Sequence, residues 1–386
     1  ADMAKEVPMN RLLQGDVGSG KTAVAEYALL QTVAHGCQAV LMAPTEILAN
    51  QHARTLARDL ENSRVRIALL TGSLAAGQRA EVLARIAAGE VDLVIGTHAV
   101  AQQDVVFARL GLVIIDEQHK FGVAQRGRLI QQGIMPDVLV MTATPIPRTL
   151  GLTLYGDLDS SVINEMPAGR GEVRTHIRTP DRWPKILEFL KTELSAGRQA
   201  FVIFPRVDNE DTVAGIKAVN AEAQKLSKAF APHTVAVLHG RLKPEEKETV
   251  MTAFRENQTH VLLTTTVVEV GVDVPNATLM LIENAEQFGL AQLHQLRGRI
   301  GRGTHDSHCI LLTSGKSTEA NERLGVLSET NDGFKIAEAD LQLRGPGELV
   351  GQDQSGLPAF KFADLRRDLD LIELARHIAL EIEAGR

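Results

Sequence analysis

The 386-residue sequence predicts an α/β protein built as two tandem doubly wound parallel-sheet domains, followed by a C-terminal helical and loop segment. Three observations lead there. Apolar runs of strand length alternate with stretches of helical spacing, the pattern of parallel strands covered on both faces. The alternation fades between Asp157 and Pro180, where Pro167, Gly169 and Gly171 interrupt it, and then resumes. Past residue 315, helix-patterned and glycine-dense sequence follows. The expected domains are therefore 1–165, 166–315 and 316–386.

In the first block, Arg11–Leu13 reads as a strand and Thr22–Ala34 as a helix. Between them lies Gly15-Asp16-Val17-Gly18-Ser19-Gly20-Lys21-Thr22, which fits Gly-x-x-x-x-Gly-Lys-Thr. Glycines let the backbone turn tightly and approach an anion, and the helix start presents N–H groups and a positive dipole end to phosphates. Lys21 offers a mobile charge for the β- and γ-phosphates of a nucleotide, and the Thr22 hydroxyl suits Mg2+. The next expected elements are strand Gln38–Ala43, helix Glu46–Leu60, strand Arg66–Leu70, helix Gln78–Ala88, and strands Val91–Ile95, Gly111–Ile115 and Val138–Met141.

In a doubly wound sheet, ligands gather at the carboxyl ends of the strands. Asp116-Glu117-Gln118-His119 follows directly on an apolar strand. Its carboxylates divide the work: Asp116 to hold Mg2+, Glu117 to polarise the water that attacks the γ-phosphate. Pro44-Thr45, Thr71-Gly72 and Thr97-His98 also sit after strands, and hydroxyls and N–H groups at helix starts suit phosphate oxygens.

The second block begins with helix Trp183–Ser195 and strand Gln199–Phe204, then helix Thr212–Phe230 and strand Thr234–Leu238. Helix Glu245–Glu256 and strand His260–Thr264 complete it, with no phosphate loop of its own. Arg206 and His239 follow strands and are weaker backbone-contact candidates. Arg299 and Arg302, three apart, are expected to share a helix face.

Composition bounds the reading. The net charge of −7 argues against a general polyanion binder, but residues 317–386 carry most of it, with 8 basic against 14 acidic side chains. Aromatic content of 4% leaves few rings for base stacking, so nucleic-acid contact should be mainly to backbone. Cys37 and Cys309 read as buried thiols. No apolar run is long enough to cross a bilayer and no signal peptide is recognised, which makes the cytoplasm the expected compartment.

The order of these motifs resembles superfamily 2 helicases, whose two motor domains are RecA-like. The resemblance assigns Pro44, Thr45, Thr71, Gly72, Thr97 and His98 to loops touching the tracked strand, and Thr142 and Thr144 to the segment linking hydrolysis to strand movement. Thr264-Thr265-Thr266 with Glu269–Asp273 resembles the loop that touches DNA through Thr265 and Thr266 and the nucleotide sugar through Gly271 and Asp273. Gln292–Arg302 resembles the arginine-finger helix, in which Arg299 and Arg302 reach the γ-phosphate and Gln295 is a coupling residue.

Helix-patterned Glu319–Asn331 and Ile336–Leu343 precede Leu343-Arg344-Gly345-Pro346-Gly347-Glu348-Leu349-Val350-Gly351 and Gln352. This run resembles the translocation motif of RecG-type branched-DNA translocases and of transcription-repair coupling factors, with Arg344 and Gln352 as coupling residues. Gln118 and the Gly-Pro-Gly-Glu run favour the RecG type. The resemblance implies ATP and Mg2+ use, movement on branched or duplex DNA in repair and recombination, a monomeric state, and a single-stranded DNA-binding protein as a further partner. The family's amino-terminal wedge domain and adenine-reading glutamine element find no match here. The expectation is therefore a piece of a longer protein that binds ATP but couples it poorly to DNA. The competing readings are a coupling-factor translocase, an RNA helicase and a nucleotide-dependent binding module without motor activity.

Overall fold

The structure, a computed structural model, describes residues 2–117, 136–143, 158–167, 169–205, 223–264, 274–315 and 317–344, with 371, 374–375, 378–379 and 381–382. The chain divides into two compact units, Ala1–Met166 with Ala337–Arg386, and Pro167–Ile336.

In the first unit the strands are β1 Asn10–Gly15, β2 Gln38–Met42, β3 Ile67–Leu70, β4 Leu93–Gly96, β5 Leu110–Asp116, β6 Asp137–Thr142 and β7 Asp159–Ile163. They form one sheet in the order β3-β4-β2-β5-β6-β1-β7, and every described pairing is parallel. Helices α1 Lys21–Ala34, α2 Glu46–Asp59 and α3 Ala76–Ala87 connect the early strands. All five residues of β2 are buried, as a central parallel strand requires. One face of the sheet packs Val40, Met42, Leu70, Val94, Val113 and Ile115 into a core with Ile86 of α3.

In the second unit the strands are β8 Val173–Arg178, β9 Gln199–Ile203, β10 Val235–Leu238, β11 Val261–Thr264, β12 Ala277–Ile282 and β13 Ser307–Leu312, ordered β10-β11-β9-β12-β13-β8 and again parallel. The helices with full bounds are α4 Trp183–Ser195, α5 Pro244–Arg255, α6 Leu290–Arg297 and α7 Thr318–Glu329, and α8 Gly333–Arg344 follows. Residues 223–230 of the expected helix Thr212–Phe230 are helical too, and the rest of it lies outside the described residues. The helix α7, which the sequence reading grouped with the tail, falls within this second unit.

Strand for strand, β3-β4-β2-β5-β6-β1 of one sheet matches β10-β11-β9-β12-β13-β8 of the other, with β7 an extra edge strand. The duplication extends to single residues. Gln38, first in β2, is buried and donates through Nε2 to Ile86 O (3.0 Å) and Val91 O (2.8 Å). Gln199, first in β9, does the same to Phe254 O (2.6 Å) and Thr259 O (2.8 Å). Each amide satisfies two buried carbonyls, one at the end of a helix and one ahead of the next strand.

The segment expected as a linker holds two strands, β7 and β8. Both are sheet edges, so their residues are largely half-buried or exposed and the apolar run that marks a central strand is missing. The strands β12 and β13 flank the Gln292–Arg302 motif and are not among the elements expected from the sequence. Neither cysteine is in a disulfide; Cys309 is buried, which pushes its thiol up to about 12, while Cys37 is half-buried. Among the described residues no helix is long and apolar enough to cross a membrane.

Candidate nucleotide and nucleic-acid sites

The loop after β1 leads directly into α1. Gly18 and Gly20 have φ of 76° and 97°, the left-handed region that glycine occupies without strain. Gly20 is the N-cap of α1, and among the described residues no side chain caps its first turn, leaving a helix start suited to an anion. Lys21 is 9% exposed, and its ammonium donates to Gly15 O (2.7 Å) and Asp16 O (2.9 Å), which satisfies the buried charge and braces the loop. Ser19 Oγ is buried with no hydrogen-bond partner among the described residues, an unspent polar atom within the loop. Val17 and Ser19 are buried, Gly15 closes β1, and the Thr22 and Asp116 oxygens are the hard donors that Mg2+ takes. The residues therefore fit a metal–nucleotide ligand.

Parallel register brings the carboxylates level with this loop. Asp116 ends β5 opposite Met141 of β6, and Met141 and Thr142 pair with Leu13 and Gln14 at the end of β1. Glu117 has a φ of 54°, unusual for a residue with a Cβ, and its N–H donates to Met141 O at 2.9 Å. Such strained backbone concentrates at functional positions. Thr142 is 3% exposed.

Asp116 has a partner that sequence reasoning missed. His52 Nε2 lies 2.8 Å from Asp116 Oδ2, with the two side chains 11% and 14% exposed. A signal was present: His52 falls on the stripe Leu48, Ala49, His52, Leu56 that α2 buries.

The strand-contact candidates occupy the other half of the same sheet edge. Pro44-Thr45 follows β2, Thr71-Gly72 follows β3 and Thr97-His98 follows β4, and these three strands are adjacent. Thr45 caps α2, accepting from Leu48 N at 3.4 Å. Glu46 Oε1 accepts from Ser73 N at 2.9 Å and ties the first two loops together. The hydroxyl residues Thr71 and Thr97 are 3% and 2% exposed, so these loops offer backbone groups and the exposed His98 rather than threonine hydroxyls.

In the second unit the helix of the arginine motif ends early. Helix α6 stops at Arg297 with Gly298 as its C-cap, and Arg299 N→Leu296 O (2.9 Å) and Ile300 N→Arg297 O (3.1 Å) close tighter turns. Gly301 then turns the chain with φ of 71°, where a Cβ would collide with Val173 Cγ2. Arg299 and Arg302 therefore do not share a helix face; they lie on the turn after the helix, because glycines at 298 and 301 end it. Arg299 is 8% exposed, and Arg302 Nε donates to Gly298 O at 3.3 Å. Gln295 is half-buried on α6.

Arg297, passed over in the sequence, is a structural anchor. It is 4% exposed and its Nη1 donates to Leu327 O (2.6 Å), Thr330 O (3.1 Å) and Thr175 Oγ1 (3.1 Å), binding α6 to α7 and β8. His239 follows β10 and is half-buried. Gln118, His119, Thr144, Arg206, Thr265, Thr266, Gly271, Asp273 and Gln352 lie outside the described residues, as does the Arg344 side chain.

Known proteins share this arrangement. Residues 3–152 match the DEAD/DEAH box helicase model, 182–304 the helicase conserved C-terminal domain, and 330–384 the C-terminal part of domain 3 of ATP-dependent DNA helicase RecG. The ATP-dependent DNA helicase RecG of Synechocystis is 52% identical over 98% of this chain and 46% of that protein. The chain belongs to the RecG family. RecG of Bacillus subtilis is 51% identical over all of this chain and 56% of its own length, so the chain spans about half the length of these relatives. A solved RecG bound to a three-way DNA junction has 48% identity and a TM-score of 0.77, covering 96% of this chain and 48% of that one. S. cerevisiae Dbp5 bound to RNA and ADP BeF3, at 18% identity, 89% coverage of this chain and 85% of its own, and TM-score 0.62, shares the fold. Both units are thus RecA-like sheets of a superfamily 2 helicase.

Proposed function

We propose that this chain carries the ATP-driven motor of a branched-DNA helicase, moving on duplex DNA at forks and Holliday junctions in repair and recombination. The observation that supports it most is the division of one sheet edge. The phosphate loop follows β1, and Asp116 and Thr142 end β5 and β6, whereas the strand-contact loops follow β2, β4 and β3. In a sheet ordered β3-β4-β2-β5-β6-β1, nucleotide and strand therefore address opposite halves of one rigid edge. The relative solved on a three-way junction suggests branched DNA as the substrate.

Lys21 and the start of α1 would hold the phosphates of ATP, with Thr22 and Asp116 holding Mg2+. When bound, the metal would neutralise charge on the β- and γ-oxygens. Glu117 would orient and deprotonate the attacking water, and Arg299 and Arg302 would supply positive charge to the transition state. The same reading proposes a monomer whose further partner is a single-stranded DNA-binding protein. Glu117→Gln should keep ATP binding while lowering turnover by about 100-fold or more. Turnover close to wild type would remove Glu117 from the mechanism.

A further inference from the structure

The duplication of the fold raises a question at one position. β8 holds in the second sheet the place that β1 holds in the first, the strand whose end delivers the phosphate loop. No phosphate loop follows β8, yet a cavity of about 920 Å3 opens there, between the ends of β8 and β13 and the start of α4. A space of that size accommodates a nucleotide-sized ligand.

Its lining is one-sided in charge. Arg178, Arg182 and Lys185 border the cavity, and among the described residues no carboxylate lines it, although Asp181 accepts from the lining Thr179 at its rim. Arg182 has a rim partner, Asp181, at 3.5 Å, whereas Arg178 and Lys185 form no ion pair among the described residues. Aromatic surface forms the wall beside them. The His176 and His308 rings stack with centroids 5.5 Å apart at 16°, joined by a 3.2 Å nitrogen–nitrogen contact. Phe189 meets His308 edge-on at 5.1 Å. Burial holds His176 below its ordinary value, and the charges of Arg178, His308 and Arg174 add a smaller effect in the same direction. A bound anion would offset that nearby positive charge.

We propose that this cavity binds a nucleotide, its phosphate held by Arg178, Arg182 and Lys185 and its base laid against the His176, His308 and Phe189 rings. Ring stacking and charge-assisted hydrogen bonds are both on offer, the combination that nucleotides satisfy. The lining residues belong to the second unit alone, and no phosphate-loop residue is among them. Its nucleotide can be free or can be the phosphorylated end of a strand.

The test is NMR of the histidine imidazoles in the whole chain carrying Lys21→Ala, so that the phosphate loop does not compete. His176→Gln and His308→Gln assign the signals. AMP should shift both resonances saturably, with half-saturation at roughly 1 mM or below. Arg178→Glu and Lys185→Glu should each weaken binding by about tenfold. Both side chains are exposed, so thermal unfolding should not change. Tighter binding of a 5′-phosphorylated oligonucleotide than of AMP supports a strand end, and the reverse supports a free nucleotide. Unmoved His176 and His308 signals, unchanged affinity in both charge reversals, or inorganic phosphate binding as tightly as AMP would each overturn the proposal.

Discussion

Replacing His52 with leucine keeps the apolar stripe of α2 and removes the hydrogen bond to Asp116. That bond is 2.8 Å long and nearly enclosed, with its two side chains 11% and 14% exposed. A hydrogen bond to a charged group contributes about 1.5–3 kcal/mol, or roughly 10- to 150-fold in an affinity that depends on it. Loss of a residue that orients a metal ligand costs about 10- to 100-fold in metal affinity. His52→Leu should therefore raise the Mg2+ concentration needed for half-maximal binding of a fluorescent ADP analogue by about tenfold or more. ADP is not turned over, so the readout is independent of catalysis. His52→Gln, whose amide nitrogen reaches a similar point, should recover part of the loss, and Asp116→Ala should abolish the Mg2+ dependence. If Asp116→Ala behaves this way and His52→Leu matches wild type, His52 does not position the carboxylate. If Asp116→Ala itself keeps the Mg2+ dependence, the assignment of the metal site is wrong.

Two further outcomes follow from the second unit, whose Trp183 is the sole tryptophan of the chain and a local fluorescence reporter. Arg297→Ala strips a charged donor from the buried Leu327 and Thr330 carbonyls and should cost about 3 kcal/mol in urea unfolding; a loss below about 1 kcal/mol would show that α7 docks without it. His176 and His233 are both held below the ordinary histidine value of 6.5, chiefly by burial, so the unfolded chain takes up these protons at higher pH than the folded one. Stability of this unit should then fall as pH drops through about 6.5, and a urea midpoint that rises on acidification would contradict the sign.

The central strands were legible because burial on both faces leaves apolar runs such as Gln38–Met42 and Leu110–Asp116. The phosphate loop was legible because its fixed residues are contiguous. Edge strands β7 and β8 were not, since a strand with one open side need not be apolar: Asp-Ser-Ser-Val-Ile carries no periodic signal. The extent of the arginine helix was misread because the spacing of Arg299 and Arg302 suits a helix until Gly298 and Gly301 are given their role as terminators. His52 and Asp116 stand 64 residues apart, and only the adjacency of β2 and β5 brings them together. Their polar residues on buried helix faces were nevertheless visible: His52 beside Leu48 and Leu56, and Arg297 beside Leu290 and Leu293.

The most direct test of the motor assignment is ATP hydrolysis by this chain with Mg2+, with and without a three-way DNA junction, beside Lys21→Ala and Arg302→Ala. The account expects turnover that either substitution reduces by about 1,000-fold and that the junction raises, by less than it does for a full-length relative because the wedge domain is not part of this chain's match. Turnover that persists in Lys21→Ala, or that Arg302→Ala leaves intact, would contradict it.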